Sequence, residues 1–293
     1  MNTQIIDIPN KKSASCVGGL ACITGASSGI GAEFARQLAV EGYSLILVAR
    51  REDSLVDLAR EIASDYHVTC ECITADLSEL QECDALVQHL QTQTDTPIDV
   101  LINNAGFGAV GRFDKSDISN DLKMIDVNIK ALHYIAHQMM PYFIARDHGH
   151  IINVGSVAGL MPGGPFMATY YATKSYVVSL TNSMAEELKH LGSHVQAHAL
   201  CPGPVDTEFN DVANVKFSLR GISAGECVSY CIDEADNGTI IIIPNLMVRV
   251  GVRLSGLIPK RAVLKVLARS QKSKFDKWYQ CSKMILSVLG YLS

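Results

Sequence analysis

Short apolar runs alternate with longer amphipathic stretches along most of the chain. Seven runs read as buried strands: Leu20–Thr24, Ser44–Ala49, Val68–Thr74, Val100–Asn103, His150–Gly155, His194–Leu200 and Thr239–Ile243. The segments near 30–41, 52–64, 79–92, 118–145, 168–191 and 224–235 read as helices. Regular alternation predicts βαβ units, and right-handed crossovers then favour a doubly wound parallel sheet with helices on both faces. No repeat of solenoid length and no low-complexity tract interrupts the pattern. We therefore expect one α/β domain over residues 17–245. A short extension, 1–16, precedes it and a helical extension, 246–293, follows.

Composition sharpens this picture. Of 293 residues, 48% are hydrophobic and 19% charged, which suits strands buried on both faces and excludes a disordered chain. A net charge of −5 gives no reason to expect a nucleic-acid partner. The nine cysteines are odd in number and form no C-x-x-C pair. They read as small core residues in a reducing compartment, and no disulfide framework or metal site is expected. The first sixteen residues lack the apolar core of a signal peptide, and no apolar run is long enough to span a bilayer. A cytoplasmic protein is the expectation.

The first strand runs into Thr24-Gly25-Ala26-Ser27-Ser28-Gly29-Ile30-Gly31, with a helix after it. Glycines at such a turn let the backbone approach a pyrophosphate and let the helix pack closely on the sheet. The helix N-terminus then favours the anion. The spacing is G-x3-G-x-G. The second strand ends Val48-Ala49-Arg50-Arg51, where an acid would bind the ribose 2′-hydroxyl of NAD and an arginine would accommodate the 2′-phosphate of NADP. No acidic residue precedes Glu52, so NADP(H) is expected ahead of NAD(H), with Arg50 as the clamp and Arg51 assisting. The plainer alternative is that one arginine only begins the next helix. Asp76-Leu77 closes the third strand, and Asp76 could equally cap the following helix. Asn103-Asn104-Ala105-Gly106 follows the fourth strand, at the sheet edge where open α/β folds bind ligands.

Tyr170-Tyr171-Ala172-Thr173-Lys174 opens a long helical segment. Residues four apart share a helix face, so Tyr170 and Lys174 can enter one site. A free tyrosine, with a pKa of about 10, is a poor acid or base at neutral pH, and a neighbouring ammonium would lower that value. Tyr171, three residues from Lys174, faces it equally well, and spacing alone leaves both open. Ser156 follows the fifth strand in Asn153-Val154-Gly155-Ser156 and can steady a developing oxyanion. It lacks the G-x-S-x-G setting of a nucleophile.

In order and spacing, TGxxxGxG, NNAG, Asn128, Ser156, YxxxK and Pro202-Gly203 resemble the short-chain dehydrogenase/reductase family from about residue 17 to 245. The resemblance implies a Rossmann-type fold and hydride transfer between a nicotinamide cofactor and a small-molecule carbonyl or alcohol. It selects Tyr170 over Tyr171, with Lys174 orienting the ribose and lowering the tyrosine pKa. Asn128 would interrupt the long helix over 118–145 and hold a water joining the lysine to solvent. Asp76 and Leu77 would lie by the adenine, Asn104, Ala105 and Gly106 beside the cofactor, and Pro202, Gly203, Val205 and Thr207 along the nicotinamide. A homodimer or homotetramer is also implied. Two departures from the family pattern stand out: Gly155 occupies a position where serine is frequent, and the step of 14 from Ser156 to Tyr170 exceeds the family's by about one residue, which Met161–Pro165 can absorb.

Substrate loops are expected at Phe107–Arg112, Leu160–Met167 and Glu208–Ser223. Their Phe107, Met161, Phe166, Met167, Phe209 and Phe217 suggest a partly apolar substrate, or else simply pack the loops down. Ten Lys and Arg residues lie between Arg249 and Lys283, opposed only by Asp276 and interleaved with apolar residues. Such a stretch reads either as a membrane-surface helix or as a helix docked on the acidic remainder of the chain or on another subunit.

Overall fold

The computed structural model describes residues 2–6, 18–92, 96–206 and 221–272. An eight-stranded sheet runs through it in the order β1-β4-β3-β2-β5-β6-β7-β8. The strands are β1 (Asn2–Ile6), β2 (Leu20–Thr24), β3 (Ser44–Ala49), β4 (Cys70–Thr74), β5 (Ile98–Asn103), β6 (His150–Val154), β7 (Gln196–Leu200) and β8 (Ile241–Ile242). All seven strands that the pattern predicts are present; β5 is two residues longer than expected and the others match or are trimmed by up to three.

Every residue of β2 and β3 is buried, as strands covered on both faces must be. The switch of direction falls between β2 and β5, which pair in parallel from Leu20↔Ile98 onward. Ligands of open α/β sheets bind beyond the carboxyl ends at such a switch. One face is covered by α1 (Gly29–Val40), α2 (Glu52–Tyr66) and, further along the chain, the helix Ala224–Asp236, through a core that includes Phe34, Leu55 and Cys227. The other face is covered by α3 (Leu80–Thr92), α5 (Leu132–Arg146) and α6 (Ala168–His190), around Leu86, Phe143 and Leu188. The helix Ala224–Asp236, α7 below, begins with a capping box between Ser223 and Glu226. The seven cysteines among the described residues are buried and unpaired.

Two features, strand β1 and the break in the helix over 118–145, lie outside the pattern, while the extension after β8 is helical as expected. Strand β1 joins the sheet antiparallel to β4, from Asn2↔Thr74 to Ile6↔Cys70. Its side chains are mostly exposed, so no apolar run announces it. The segment expected as one helix over 118–145 divides into α4 (Ile118–Ile125), a π-helical stretch at Asp126–Ala131, and α5. The extension after β8 folds into α8 (Leu246–Ser255) and a further helix, α9, over residues 260–272. No described helix is long and apolar enough to cross a membrane.

Candidate active site

The glycine-rich turn is built on positions where a side chain cannot fit. A Cβ on Gly31 would lie 2.3 Å from the Gly25 carbonyl oxygen, and one on Gly25, whose φ is +66°, would lie 2.9 Å from the Ala105 backbone. Thr24 and Gly31 therefore shape the turn from behind without lining the cavity. The Thr24 hydroxyl accepts from the amides of Asn104 (3.0 Å) and Ala105 (3.1 Å). Asn104 Nδ2 in return donates to the carbonyls of Thr24 (2.9 Å) and Gly25 (3.0 Å). These bonds lock the loop after β5 against the turn after β2. The buried carbonyls at the switch point are satisfied in the same stroke.

Beyond these two loops opens a cavity of about 450 Å³. Gly25, Ser27, Ser28, Gly29 and Ile30 form one side, with Arg50, Arg51, Asp76 and Leu77 at the far end. Asn104, Ala105 and Gly106 form its floor, and Pro202, Gly203 and Val205 a wall. Ser156, Tyr170 and Lys174 close the other end. The predicted residues thus converge from six strand ends and from the helix that carries Tyr170 and Lys174, with Asn128 behind the floor. Thr207, Phe209 and Phe217 lie outside the described residues.

Arg51 donates to the hydroxyls of Ser27 (Nε, 3.3 Å) and Ser28 (Nη2, 2.7 Å), while Arg50 stands exposed beside it. The arginine expected only to assist is thus the one tied to the glycine turn. Asp76 accepts from the amide and hydroxyl of Ser78 and from Lys123 Nζ at 3.3 Å. Burial works against its charge, but these bonds outweigh it and hold the carboxyl below its ordinary range. The residue structures its own turn and also faces the cavity.

The catalytic end is buried: Lys174 is 5% exposed and Tyr170 8%. Lys174 Nζ donates to the Val154 carbonyl at 2.8 Å, and burial brings its pKa down to about 8. Burial pushes Tyr170 up to about 12, and a hydrogen bond with Ser156 pulls the other way. This departs from the expected lowering by the lysine. The ammonium stands 6.0 Å from the ring centroid, turned towards Val154, and desolvation dominates. Tyr171 has a different partner. Its hydroxyl accepts from Gln271 Nε2 at 3.0 Å, in the last described turn of α9.

Asn128 lies in the π-helical stretch, where the i+5 pattern displaces it from the helix register. Its side chain donates to the Phe107 carbonyl (2.9 Å) and to Thr173 Oγ1 (3.1 Å), and accepts from the Phe107 amide (3.0 Å). The side chain thus makes three hydrogen bonds within the protein. It clamps the loop after β5 to the helix that carries Tyr170 and Lys174. A Cβ on Gly106 would lie 2.9 Å from Asn128 Oδ1 and 3.4 Å from Lys174 Nζ, so only glycine leaves that corner open.

Both departures noted in the sequence have a local cause. A Cβ at Gly155 already lies 3.2 Å from Cys201 Sγ, so a serine would press on the cysteine. The extra residue before Tyr170 is taken up where Gly163 (φ +152°) and Phe166 (φ +67°) adopt positive φ and Gly164 lies flat on the Tyr171 ring. The apolar end of the cavity gathers Met124, Ala158, Met167, Tyr170 and Tyr171, with Phe107, Met161 and Leu267 packed against them. Gln271 is 5% exposed, and its Oε1 has no hydrogen-bond partner among the described residues. Sequence reasoning missed Gln271, because nothing in the spacing of α9 ties it to a site a hundred residues away.

Comparison with known proteins agrees with this geometry. The family described as short chain dehydrogenase matches residues 19–216. An uncharacterized oxidoreductase of Staphylococcus saprophyticus is 32% identical over 231 residues, 74% of this chain and 91% of the relative. A short-chain dehydrogenase from Sphingobium yanoikuyae in complex with NADPH superposes with a TM-score of 0.74 at 32% identity, covering 82% of this chain and 92% of that one. One from Burkholderia phymatum in complex with NAD gives 0.72 at 25% identity, covering 83% and 94%. The chain is an oxidoreductase that belongs to the short-chain dehydrogenase family.

Proposed function

We propose that this protein exchanges a hydride between NADP(H) and the carbonyl or hydroxyl carbon of a largely apolar substrate. The observation that carries the reading is the buried Ser156–Tyr170 hydrogen bond at the end of a cavity whose other end is cationic. The glycine cradle at Gly25 and Gly31 fits a dinucleotide pyrophosphate, since side chains at either position would collide with backbone. When bound, the nicotinamide supplies or accepts the hydride. Ser156 and Tyr170 hold the carbonyl oxygen, and in reduction Tyr170 gives it the proton. Its raised pKa keeps it protonated, as a donor must be. Lys174 orients the cofactor ribose and supplies positive charge beneath it. Asn128 keeps the floor and the catalytic helix in register. Oxidation of NADPH followed with ketones and 3-oxoacyl thioesters tests the proposal. Tight NADPH binding without turnover on any of them would favour a non-catalytic dinucleotide sensor.

Preference for NADP(H) rests on Arg51, held by Ser27 and Ser28, and on Arg50 beside it, with no acid at the end of β3. Replacing both arginines with alanine removes charged hydrogen bonds to the 2′-phosphate, worth about 10- to 100-fold in binding. We expect kcat/KM with NADPH to fall by about that factor and kcat/KM with NADH to stay within about threefold. Equal losses with both would show that the arginines serve the turn and not the phosphate.

Substrate selection falls to the Phe107 and Met167 side of the cavity and to Gln271. A buried amide oxygen without a partner is costly unless a ligand satisfies it. We expect Gln271→Leu to lower kcat/KM about tenfold for a ketone bearing a remote hydroxyl and to raise or leave unchanged that for its deoxy analogue. Parallel changes for both ketones would remove Gln271 from substrate recognition.

A further inference from the structure

α8 and α9 attach to the body by one face each. Val248 and Val252 of α8 pack on the cluster around Val178 and Ile243, and α9 buries Val263 and Gln271. The opposite face of α8 turns Leu246, Met247, Val250 and Leu254 to the outside, and the connecting turn adds Leu257. Met247 and Leu257 are each 83% exposed. With Ile258 and Val266 these make up nearly half of the exposed large apolar side chains among the described residues. The outer face of α9 carries Arg261, Lys265, Arg269 and Lys272 on successive turns, all exposed. Neither these four nor Arg253 forms an ion pair within the described residues.

Charge divides along the same line. No Asp or Glu occurs from residue 237 to 275. Residues 246–293 carry a net +9 while the whole chain carries −5, leaving −14 on residues 1–245. Of the cations on these helices Arg249 turns inward, to the Ile243 carbonyl and the Tyr230 hydroxyl; the helices otherwise dock through valines and Leu267, with Arg253, Arg261, Lys265, Arg269 and Lys272 exposed.

An acidic protein would satisfy the cations and leave the α8 apolar stripe in water. A second copy of this face would bring like charge against like charge. A bilayer containing anionic lipid satisfies both, with apolar side chains below the phosphates and basic ones at their level. The sequence after residue 272 continues in the same key, with Lys274, Lys277, Trp278, Tyr279 and Lys283 ahead of Met284-Ile285-Leu286. We propose that the outward face of α8 and α9 docks this protein on the surface of an anionic bilayer, without spanning it. The proposal goes beyond the reaction and stands whether or not the substrate assignment does.

The test is flotation of the full-length protein with vesicles of phosphatidylglycerol and phosphatidylcholine, beside vesicles of phosphatidylcholine alone. Binding to the mixed vesicles only, weakened by salt, is the expected result. Charge reversal at Arg261→Glu, Lys265→Glu and Arg269→Glu should lower the bound fraction at least tenfold. So should Leu246→Gln with Val250→Gln and Leu254→Gln. NADPH binding should be retained in both variants, as proof of folding. No flotation of the wild type overturns the proposal, as does equal flotation of the charge-reversed variant. A dimer in solution that the Leu246, Val250 and Leu254 variant disperses, without vesicle binding by the wild type, would overturn it in favour of a subunit contact.

Discussion

Tyr170→Phe is expected to lose about a thousandfold in kcat with NADPH binding intact, because a positioned general acid contributes about 10² to 10⁴. The substitution removes one buried hydroxyl that bonds Ser156 and leaves the ring's packing against Met124 and Tyr171 in place. The companion, Tyr171→Phe, should keep turnover within about fivefold on a simple ketone. Its hydroxyl bonds Gln271, on the substrate side, and no bond to Ser156 is available to it. Stopped-flow measurement of the hydride step, with NADPH affinity from fluorescence titration, separates chemistry from binding. If Tyr171→Phe proved the inactive variant, the proton would pass one residue further along the helix. The pair would then resolve the ambiguity that spacing alone left open.

Lys174→Met should act in two opposite directions. Turnover should fall by about 10² or more, since the charge under the site is gone. Stability of the cofactor-free protein should respond to pH in the reverse sense. Burial takes Lys174 from 10.5 to about 8, which corresponds to about 3 kcal/mol against the charged form. The folded value lies below the unfolded one, so the penalty is fully present below pH 8 and fades as pH rises towards 10.5. Methionine never carries it, although it leaves the Val154 carbonyl without its donor, at about 1–3 kcal/mol. The stability of Lys174→Met relative to wild type should therefore drop by about 3 kcal/mol between pH 7.5 and 10.5. Urea unfolding at a series of pH values measures this. A difference independent of pH would mean that the buried lysine keeps its ordinary pKa and stays charged in the folded protein.

The sheet and the glycine turn were legible because both leave periodic traces. A strand covered on two faces is a continuous apolar run, and a backbone that must touch backbone at Gly25 and Gly31 admits glycine alone. The π-helical stretch was expected only through family likeness, since Asp126–Ala131 keeps the composition of an ordinary helix. Strand β1 left no trace, because an edge strand held by backbone hydrogen bonds needs no apolar face. The direction of the Tyr170 shift was misjudged for a similar reason. Spacing puts an ammonium near a phenol and says nothing about how dry the place is. Gln271 and the outward face of α8 were hidden for the opposite reason, because they are made by tertiary packing between distant segments.

The antiparallel strand β1 also settles how the molecule can be handled. It closes one end of the sheet, while β8 and the helices after it lie at the other. Seven strand-to-strand steps separate them, roughly 34 Å at about 4.8 Å each. A fluorophore or affinity tag joined ahead of Asn2 therefore begins at the margin remote from the cationic helices. The protein can be immobilised or observed from that margin with the cationic helices left free, but a tag there begins beside Thr74 and Glu52, next to the Asp76 end of the cavity, so a spacer is needed to keep it clear of the cofactor.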